Sequence, residues 1–218
     1  MVDEGSVLAR YVGVATLVYG ALGLGAFALA HLADDASPVA MEAALGWDRV
    51  ERLALSLALG LALGVLVVLA TRVLVRRARW ARQLHSGFRE LLGPLSGRQI
   101  LFLAVLSGVA EELFFRGALM PLVGFWVSSA LFGLLHIGPG RRFAPWTAWA
   151  VAMGLAFGAI YWLTGELVGC VVAHVLVNYE NMHFIEAHDP APEARVVAPE
   201  DPSLIGRRRH RSGGFMHP

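Results

Sequence analysis

Long apolar stretches alternate with short polar and basic ones along this chain of 218 residues. A helix that spans a bilayer needs roughly 20 consecutive apolar residues, with a lower limit near 17. Six stretches approach or exceed that length, and we expect a membrane-spanning helix in each: Val7–Leu32, Leu53–Val75, Ile100–Met120, Leu122–Ile137, Thr147–Thr164 and Leu167–Ile185. The fourth is short for a full crossing, which predicts tilting, shielding by protein or local thinning of the bilayer. The pattern therefore predicts an all-α, polytopic transmembrane bundle of about six helices.

Composition and arginine placement support this interpretation and predict an orientation. Charged residues make up 16% of the chain, against about 25% in soluble domains. Arginines cluster in the connections between spans two and three and between spans four and five, and again in the C-terminal tail. Arginine-rich connections normally stay in the cytoplasm. With six spans, all three clusters fall on one side, so we expect both termini in the cytoplasm, in a prokaryotic cytoplasmic membrane.

Three regions are expected. Residues 1–97 should hold two transmembrane helices and a basic amphipathic helix, residues 98–185 a catalytic four-helix membrane core, and residues 186–218 a disordered cytoplasmic tail. Segment Arg76–Leu92 places apolar residues near one helical face and arginines on the others, which favours a helix at an anionic lipid surface over a solvated connector. The basic run in the tail favours orientation or lipid contact over nucleic-acid binding.

Three charges stand inside the third apolar stretch: Glu111, Glu112 and Arg116. Each costs about 2.5–3.5 kcal/mol near the bilayer centre, so a helix that only anchors the chain has no reason to carry them. Glu112 and Arg116 are four residues apart and share a helix face, where they can pair. Glu111 lies about 100° around the helix from Glu112. The spacing predicts an orienting pair of Glu112 and Arg116, with Glu111 as the working carboxylate.

Polar side chains in two other spans complete a candidate site. His136 ends the fourth span, and His174 and Asn178 share a face of the sixth. Because such groups turn toward the interior of a membrane bundle, we expect them to meet Glu111 in one cavity. Glu111, helped by His136, can deprotonate a water, and His174 and Asn178 can donate to the oxyanion formed when that water attacks a carbonyl. The set predicts hydrolysis of a peptide bond within the membrane.

The three motifs resemble those of the CAAX-protease and bacteriocin-processing family (CPBP, also called Abi) of intramembrane endopeptidases. EELFFR at Glu111–Arg116 is similar to its EExxxR motif, FGLLH at Phe132–His136 to its FxxxH motif, and HVLVN at His174–Asn178 to its HxxxN motif. The resemblance covers roughly residues 98–185. It implies that Glu111 is the base, with His136 as its partner on the water. His174 and Asn178 would form the oxyanion side, supported by Glu112 and Arg116, and the substrate would be a membrane-anchored protein or peptide.

Several alternatives remain open from the sequence. No HExxH helix is present, and we favour a mechanism without a cofactor, although Glu111, His136 and His174 could supply three ligands to zinc. Cys170 lies four residues before His174, so a thiol transpeptidase or sorting protease is a second possibility. A proton-coupled transporter also uses intramembrane Glu, His and Arg. A non-catalytic membrane scaffold is the last alternative.

Two smaller expectations concern packing. Small residues recur at four-residue spacing in three spans, at Gly60/Gly64, Ala104/Gly108 and Gly154/Gly158, which predicts close approach of helices. Glu166 lies in a short turn, where we expect it to be solvated.

Overall fold

The computed structural model describes residues 4–33 and 37–190, with side chains described from residue 12 onward. This part of the chain is helical, as predicted, and its β-structure is confined to an isolated bridge between Ala40 and Glu166. The α-helices are α1 (Glu4–Leu32), α2 (Arg49–Arg77), α3 (Arg79–Leu92), α4 (Gly97–Glu112), α5 (Met120–Val123), α6 (Phe125–Leu134), α7 (Ala144–Thr164) and α8 (Val168–Ala187). A π-helical segment, Leu113–Leu119, joins α4 to α5, and a 3₁₀ turn, Arg141–Phe143, precedes α7. The predicted tail, residues 186–218, lies mostly outside the described residues.

Three of the described helical stretches are long and apolar enough to cross a membrane by themselves: Val12–Leu32, Arg49–Arg77 and Arg141–Thr164. The other predicted spans take less regular forms. The third is assembled from α4, the π-helical segment and α5, the fourth is the ten-residue α6, and the sixth is α8, which carries the polar motif. The protein is an integral membrane protein in which these irregular helices pack among longer ones.

Small residues set how closely α2 and α8 pack. A Cβ atom on Gly60 would lie 2.1 Å from the carbonyl oxygen of Gly169, and one on Gly64 would lie 3.4 Å from the Cα of Ala173. Farther along the same two helices, an Arg72 Nη1 donates to Asn181 Oδ1 at 3.0 Å. Residue numbers rise in the same direction along both helices through these three pairs, so α2 and α8 run parallel. The predicted close approach at Gly60 and Gly64 is confirmed.

Two further helix pairs run antiparallel. Gly97 lies near His183 and Gly108 near Val175, so α4 runs antiparallel to α8. Gly154 and Gly158 of α7 contact Ser129 and Phe125 of α6, which makes those two helices antiparallel as well. Their predicted role in close packing is also confirmed.

The turn that contains Glu166 corrects a prediction. Its backbone is tied to the segment before α2, since Met41 N donates to Gly165 O at 3.0 Å. Glu166 is 3% exposed, and its Oε1 lies 3.5 Å from Arg49 Nε and 3.6 Å from Arg52 Nη2. The expectation of a solvated side chain was wrong, because the arginines at the start of α2 fold over this turn and replace water as its partners.

Helix α3 begins after an extended residue, Ala78 (φ −107°, ψ 128°), and ends at Gly93, whose φ is +63°. It forms the predicted amphipathic helix, slightly shorter than expected because α2 continues through Arg77. Its apolar side lines an internal cavity rather than only lipid: the lining includes Trp80, Leu84, Phe88, Leu91 and Leu92.

Polar contacts tie α3 to the ends of its neighbours. Arg89 Nη1 donates to the carbonyl of Ile185 at 2.7 Å, and the exposed Arg142 Nη1 pairs with Glu90 Oε2 at 2.8 Å. Burial lowers the pKa of His85, whose Nε2 bonds to the carbonyl of His188 at 2.8 Å. A neutral imidazole therefore belongs to the wall of the cavity.

Candidate active site

A cavity of about 460 Å³ lies among α1, α2, α3, α4, α6, α7 and α8, next to the arginine-rich end of the bundle. Most of its lining is aliphatic or aromatic. Polar side chains on its surface include three of the predicted site residues, His136, His174 and Asn178. Apolar walls with a few convergent polar groups are typical of a ligand or substrate site.

The Glu111 carboxylate lies between the two histidines. It is 6% exposed, and its Oε2 lies 3.5 Å from His136 Nε2 and 4.0 Å from His174 Nε2. That oxygen is buried and has no hydrogen-bond partner among the described residues. A buried carboxylate oxygen without a donor is costly, so its position beside two imidazoles marks it as a functional group.

Hydrogen bonds orient both imidazoles toward Glu111. The Nδ1 of His174 is 2.7 Å from Glu112 Oε1, and the Nδ1 of His136 is 2.6 Å from the carbonyl oxygen of Phe132. Both partners are acceptors, so each Nδ1 carries the hydrogen and donates it. Each Nε2 is then left free to exchange a proton or a hydrogen bond on the side of Glu111.

The predicted pair of Glu112 and Arg116 is present. Arg116 Nη1 lies 3.0 Å from Glu112 Oε1, and the two residues are 1% and 0% exposed. Arg116 also donates to the carbonyl of Gly154 at 3.2 Å, and its guanidinium lies 4.2 Å from the ring centroid of Phe132. Glu112 contacts Arg116 and His174 through the same oxygen. It therefore holds a site histidine as well as neutralising the arginine, a second contact that the spacing did not reveal.

The backbone after Glu112 is π-helical rather than α-helical. The expectation of one regular helix through Met120 was wrong here. The hydroxyl of Ser128 donates to the carbonyl of Phe115 at 2.7 Å, so α6 supplies a partner to the irregular segment. Single π-helical turns occur frequently at functional sites, and this one begins directly after the two glutamates.

Asn178 lies one turn after His174 on α8, and its Nδ2 donates to Ser107 Oγ of α4 at 3.0 Å. The structure thus brings the six predicted residues together through α4, the π-helical segment, α6 and α8. His136, His174 and Asn178 line the cavity, Glu111 lies beside the two histidines, and Glu112 and Arg116 lie behind His174.

Sequence comparison finds a family model that is similar to the part of the chain that holds these residues. The model of the family described as type II CAAX prenyl endopeptidase Rce1-like matches residues 95–179. This segment of the chain is therefore similar to that family. The matched segment contains all six site residues, whereas α1, α2 and α3 lie outside it.

The chain is also similar to a curated bacterial protein. The uncharacterized protein YpbD of Bacillus subtilis (strain 168) is 28% identical over 122 residues, which cover 55% of this chain and 63% of that protein. The chain therefore spans less than two thirds of the relative that it matches. No solved structure gave a significant match.

Three residues that the sequence did not predict join the candidate site. Ser107 bonds to Asn178, Phe157 stacks on His174 with ring centroids 5.3 Å apart, and the phenol of Tyr19 is a hydrogen-bond partner of Glu111. Ser107 stands one helical turn before Glu111, a spacing that could have pointed to it. Tyr19 and Phe157 carry no comparable signal, because their helices have no motif.

Cys170 does not join the site. Its side chain is fully buried and donates to the carbonyl of Phe157 at 3.1 Å. Both ring nitrogens of His174 face glutamates, which leaves no nitrogen to activate the thiol. The geometry gives no support to a Cys170–His174 nucleophile.

The arrangement of the acidic, histidine and cysteine side chains also bears on metal binding. In the described part of the chain, no group of three or more His, Cys, Asp and Glu side chains is placed to hold a metal ion.

Proposed function

We propose that this chain is an intramembrane endopeptidase that hydrolyses a peptide bond of a membrane-associated protein or peptide, with Glu111 as the base. The observation that carries the proposal is the buried Glu111 Oε2, which has no hydrogen-bond donor among the described residues and faces Nε2 of both His136 and His174. The match of residues 95–179 to a family of endopeptidases supports the same reaction class.

The first step follows from the hydrogen-bonding capacity of these atoms. Glu111 Oε2 and Nε2 of a neutral His136 are both acceptors, whereas His174 enters the reaction as an imidazolium balanced by Glu112 and donates from Nε2. A water molecule among them can donate to Glu111 and His136, which holds its oxygen lone pair toward the cavity. Glu111 removes one proton as that oxygen bonds to the substrate carbonyl carbon, and the carbonyl π electrons move onto the carbonyl oxygen.

The negative charge that develops on the carbonyl oxygen is stabilised by hydrogen-bond donors of α8. A protonated His174 donates from Nε2, and Asn178 donates from its amide, which lies one turn away on α8. When the intermediate collapses, the carbon–nitrogen bond breaks and Glu111 returns its proton to the leaving nitrogen. The products are a carboxylic acid and an amine, and Glu111 is restored.

Glu112 and Arg116 act behind this wall. Glu112 Oε1 supplies the counter-charge 2.7 Å from His174 Nδ1 and fixes the direction of the ring. Arg116 balances Glu112 and, through Gly154 O, ties both to α7. A histidine held by a buried carboxylate keeps one tautomer and one orientation, as in other hydrolytic sites.

We further propose that no metal takes part. A glutamate base and histidine–asparagine donors account for each proton in the reaction. Extended treatment of the purified protein with a zinc chelator such as 1,10-phenanthroline should leave at least half of its peptidase activity, with a non-chelating phenanthroline isomer as the control. Loss of activity with the chelator alone, and recovery on addition of zinc, would contradict this part of the proposal.

The cavity indicates the substrate class. Its walls are largely apolar, and the arginine-rich α3 lies between it and the end of the bundle. A peptide joined to a hydrophobic anchor suits such walls, whereas a free hydrophilic peptide gains little from them. We propose a membrane-anchored substrate, an orientation with both termini in the cytoplasm of a prokaryote, and contact of the arginines with anionic lipids.

The proposal is tested by comparing the termini of membrane proteins in a strain with the wild-type chain and a strain with Glu111→Ala. If this site hydrolyses peptide bonds, the wild-type strain should contain a small set of N-terminal fragments with new C-termini. These fragments should be absent from the Glu111→Ala strain. Identical termini in the two strains would contradict the proposed function, provided that the wild-type chain and the variant are present in the membrane in equal amounts. Proton-coupled flux lost in Glu111→Gln proteoliposomes would instead favour the transporter.

A further inference from the structure

Ser107 is a buried polar residue that none of the three motifs contains. It is 5% exposed, lines the cavity and stands one turn before Glu111 on α4. Its Oγ accepts a hydrogen bond from Asn178 Nδ2 at 3.0 Å and lies 3.4 Å from the carbonyl oxygen of Ala104. The hydroxyl therefore connects the helix of the glutamates directly to the amide of α8.

The contact is fixed by close packing of the two helices beside it. A Cβ on Gly108 would lie 2.7 Å from Val175 Cγ2 and 3.1 Å from the backbone nitrogen of Val175. Only a residue without a side chain allows this approach. Because α4 and α8 meet here, Ser107 and Asn178 are held at hydrogen-bonding distance by their backbones.

The hydroxyl decides which end of the Asn178 amide faces α4. The oxygen and nitrogen ends of a carboxamide are nearly the same size, so hydrogen bonding selects between them. A serine hydroxyl has one hydrogen, and here it points at the carbonyl of Ala104. Its oxygen must then accept, which turns the NH₂ end of Asn178 toward Ser107 and leaves the second N–H hydrogen for another acceptor.

We propose that Ser107 is a positioning residue of the hydrolytic site, which sets the Asn178 amide so that its second N–H can donate to the oxygen of the substrate carbonyl. The proposal rests on the proposed function and assigns a role to a residue outside the motifs. Donors that are oriented before the reaction stabilise developing charge without reorganisation. With alanine at position 107, the amide can turn over and present its oxygen, which repels that charge.

The kinetic test is a double-mutant cycle of Ser107→Ala and Asn178→Ala on the purified protein in proteoliposomes. The probe is a fluorogenic farnesylated peptide with three residues after the modified cysteine. We expect Ser107→Ala to lower kcat at least tenfold with KM changed less than twofold, since a lost oxyanion donor costs about 10²–10³ in kcat. In the Asn178→Ala background, the same change should lower kcat less than twofold.

Matched controls separate positioning from folding. Ser129 of α6 is also buried and bonds to its own helix, at Phe125 O, but it does not line the cavity. Ser129→Ala should keep kcat within twofold. The positioning role would be overturned if Ser107→Ala lowered kcat by the same factor in the Asn178→Ala background. It would also be overturned if the lower kcat of Ser107→Ala came with a lower melting temperature.

A second measurement does not depend on turnover. The chain contains two asparagines, Asn178 and Asn181, so side-chain ¹⁵N-asparagine labelling gives two NH₂ signals in an NMR spectrum. Ser107→Ala should shift the Asn178 signal and leave the Asn181 signal in place, and Ser129→Ala should move neither. An unmoved Asn178 signal would overturn the proposal even if the farnesylated peptide is not cleaved.

The two proposals fail in different ways. If Glu111→Gln cleaves as fast as the wild-type chain, the proposed function fails, whatever Ser107 does. If Glu111→Gln is inactive but Ser107→Ala matches the wild type in kcat, the hydrolytic site stands and the positioning role is wrong.

Discussion

Arg116 shows most clearly how one residue supports the whole site. Its side chain is buried, pairs with Glu112 and lies over the ring of Phe132. Removing one member of a buried pair leaves the other charge unpaired in a medium that solvates it poorly. The pair therefore contributes to folding and to the orientation of His174 at the same time.

Arg116→Ala should consequently lower both stability and peptidase activity. We expect a loss of about 3–5 kcal/mol in the free energy of unfolding, as for other broken buried pairs, and activity at least 100-fold below wild type. Arg142→Ala is the matched control, because its pair with Glu90 is exposed and exposed pairs contribute about 0–1 kcal/mol. Chemical unfolding in detergent micelles measures the free energy of unfolding of both variants. Equal stability of the two variants would contradict the assigned role of Arg116.

At this scale, sequence predicted the pair but not its surroundings. Four-residue spacing was enough to join Glu112 to Arg116 and to put His174 and Asn178 on one face. It could not show that Glu112 also bonds to His174, since that contact joins residues 62 positions apart. Tyr19 and Ser107 were missed for the same reason, because their partners are brought close only by helix packing.

At the scale of elements, the parallel contact of α2 with α8 positions the sixth predicted span. Gly169 lies near the start of α8, and a Cβ there would come within 2.0 Å of the carbonyl oxygen of Ser56 in α2. That oxygen belongs to the backbone and cannot move aside as a flexible side chain could. The packing of α8, and with it the depth of His174, depends on this glycine.

Gly169→Ala should therefore destabilise the bundle. Overpacking of this kind costs about 1–3 kcal/mol, which a thermal unfolding scan of the purified protein can measure. Gly20→Ala is the control, since nothing lies within 4 Å of a Cβ on Gly20 in α1, and alanine favours a helix over glycine. If the two variants melt at the same temperature, the close contact of α2 with α8 is not the one described.

The apolar stretches predicted an all-helical bundle and the order of its helices, but not how many described helices are long enough to cross alone, nor their irregularities. The apolar stretches predicted the helices, and the small residues predicted close approach. The π-helical turn at Leu113–Leu119 has no sequence signal of its own, because its hydrogen bonds are completed by Ser128 from another helix. The apolar face of α3 was recognised, yet the cavity that it lines depends on the other helices.

At the scale of the whole molecule, the bundle has two unlike ends. One carries α3 and the arginines that follow α2 and precede α7; the other is closed by the segment before α2, which is tied to the turn at Glu166. The arginine distribution predicted the first end. The second was missed, because the bond between Met41 and Gly165 joins distant parts of the sequence.

The proposed orientation makes the two ends distinguishable by labelling. Cys170 is fully buried, so it should contribute little background. Gly46→Cys, in the exposed segment before α2, should react with a membrane-impermeant maleimide in intact spheroplasts. Gln83→Cys, on the exposed side of α3, should react only in inverted vesicles. The reverse pattern would contradict the proposed cytoplasmic position of the arginine-rich end.

Glu111 is the base on which the proposed hydrolysis depends most. Its carboxylate is the group that faces both imidazoles and lacks a donor on Oε2. Glutamine keeps nearly the same shape and can still bond to Tyr19, but it cannot accept the proton of a water. The change therefore removes the chemistry with little disturbance of packing.

The decisive measurement is the cleavage rate of a membrane-anchored reporter peptide by purified wild-type and Glu111→Gln proteins in proteoliposomes. The reporter carries a cleavage site identified from the comparison of membrane-protein termini. The account predicts a fall of at least 10³-fold for Glu111→Gln, with a melting temperature within about 3 °C of wild type, roughly the shift that 1 kcal/mol causes at this chain length. Cleavage by the glutamine variant at a rate near that of the wild type would contradict it.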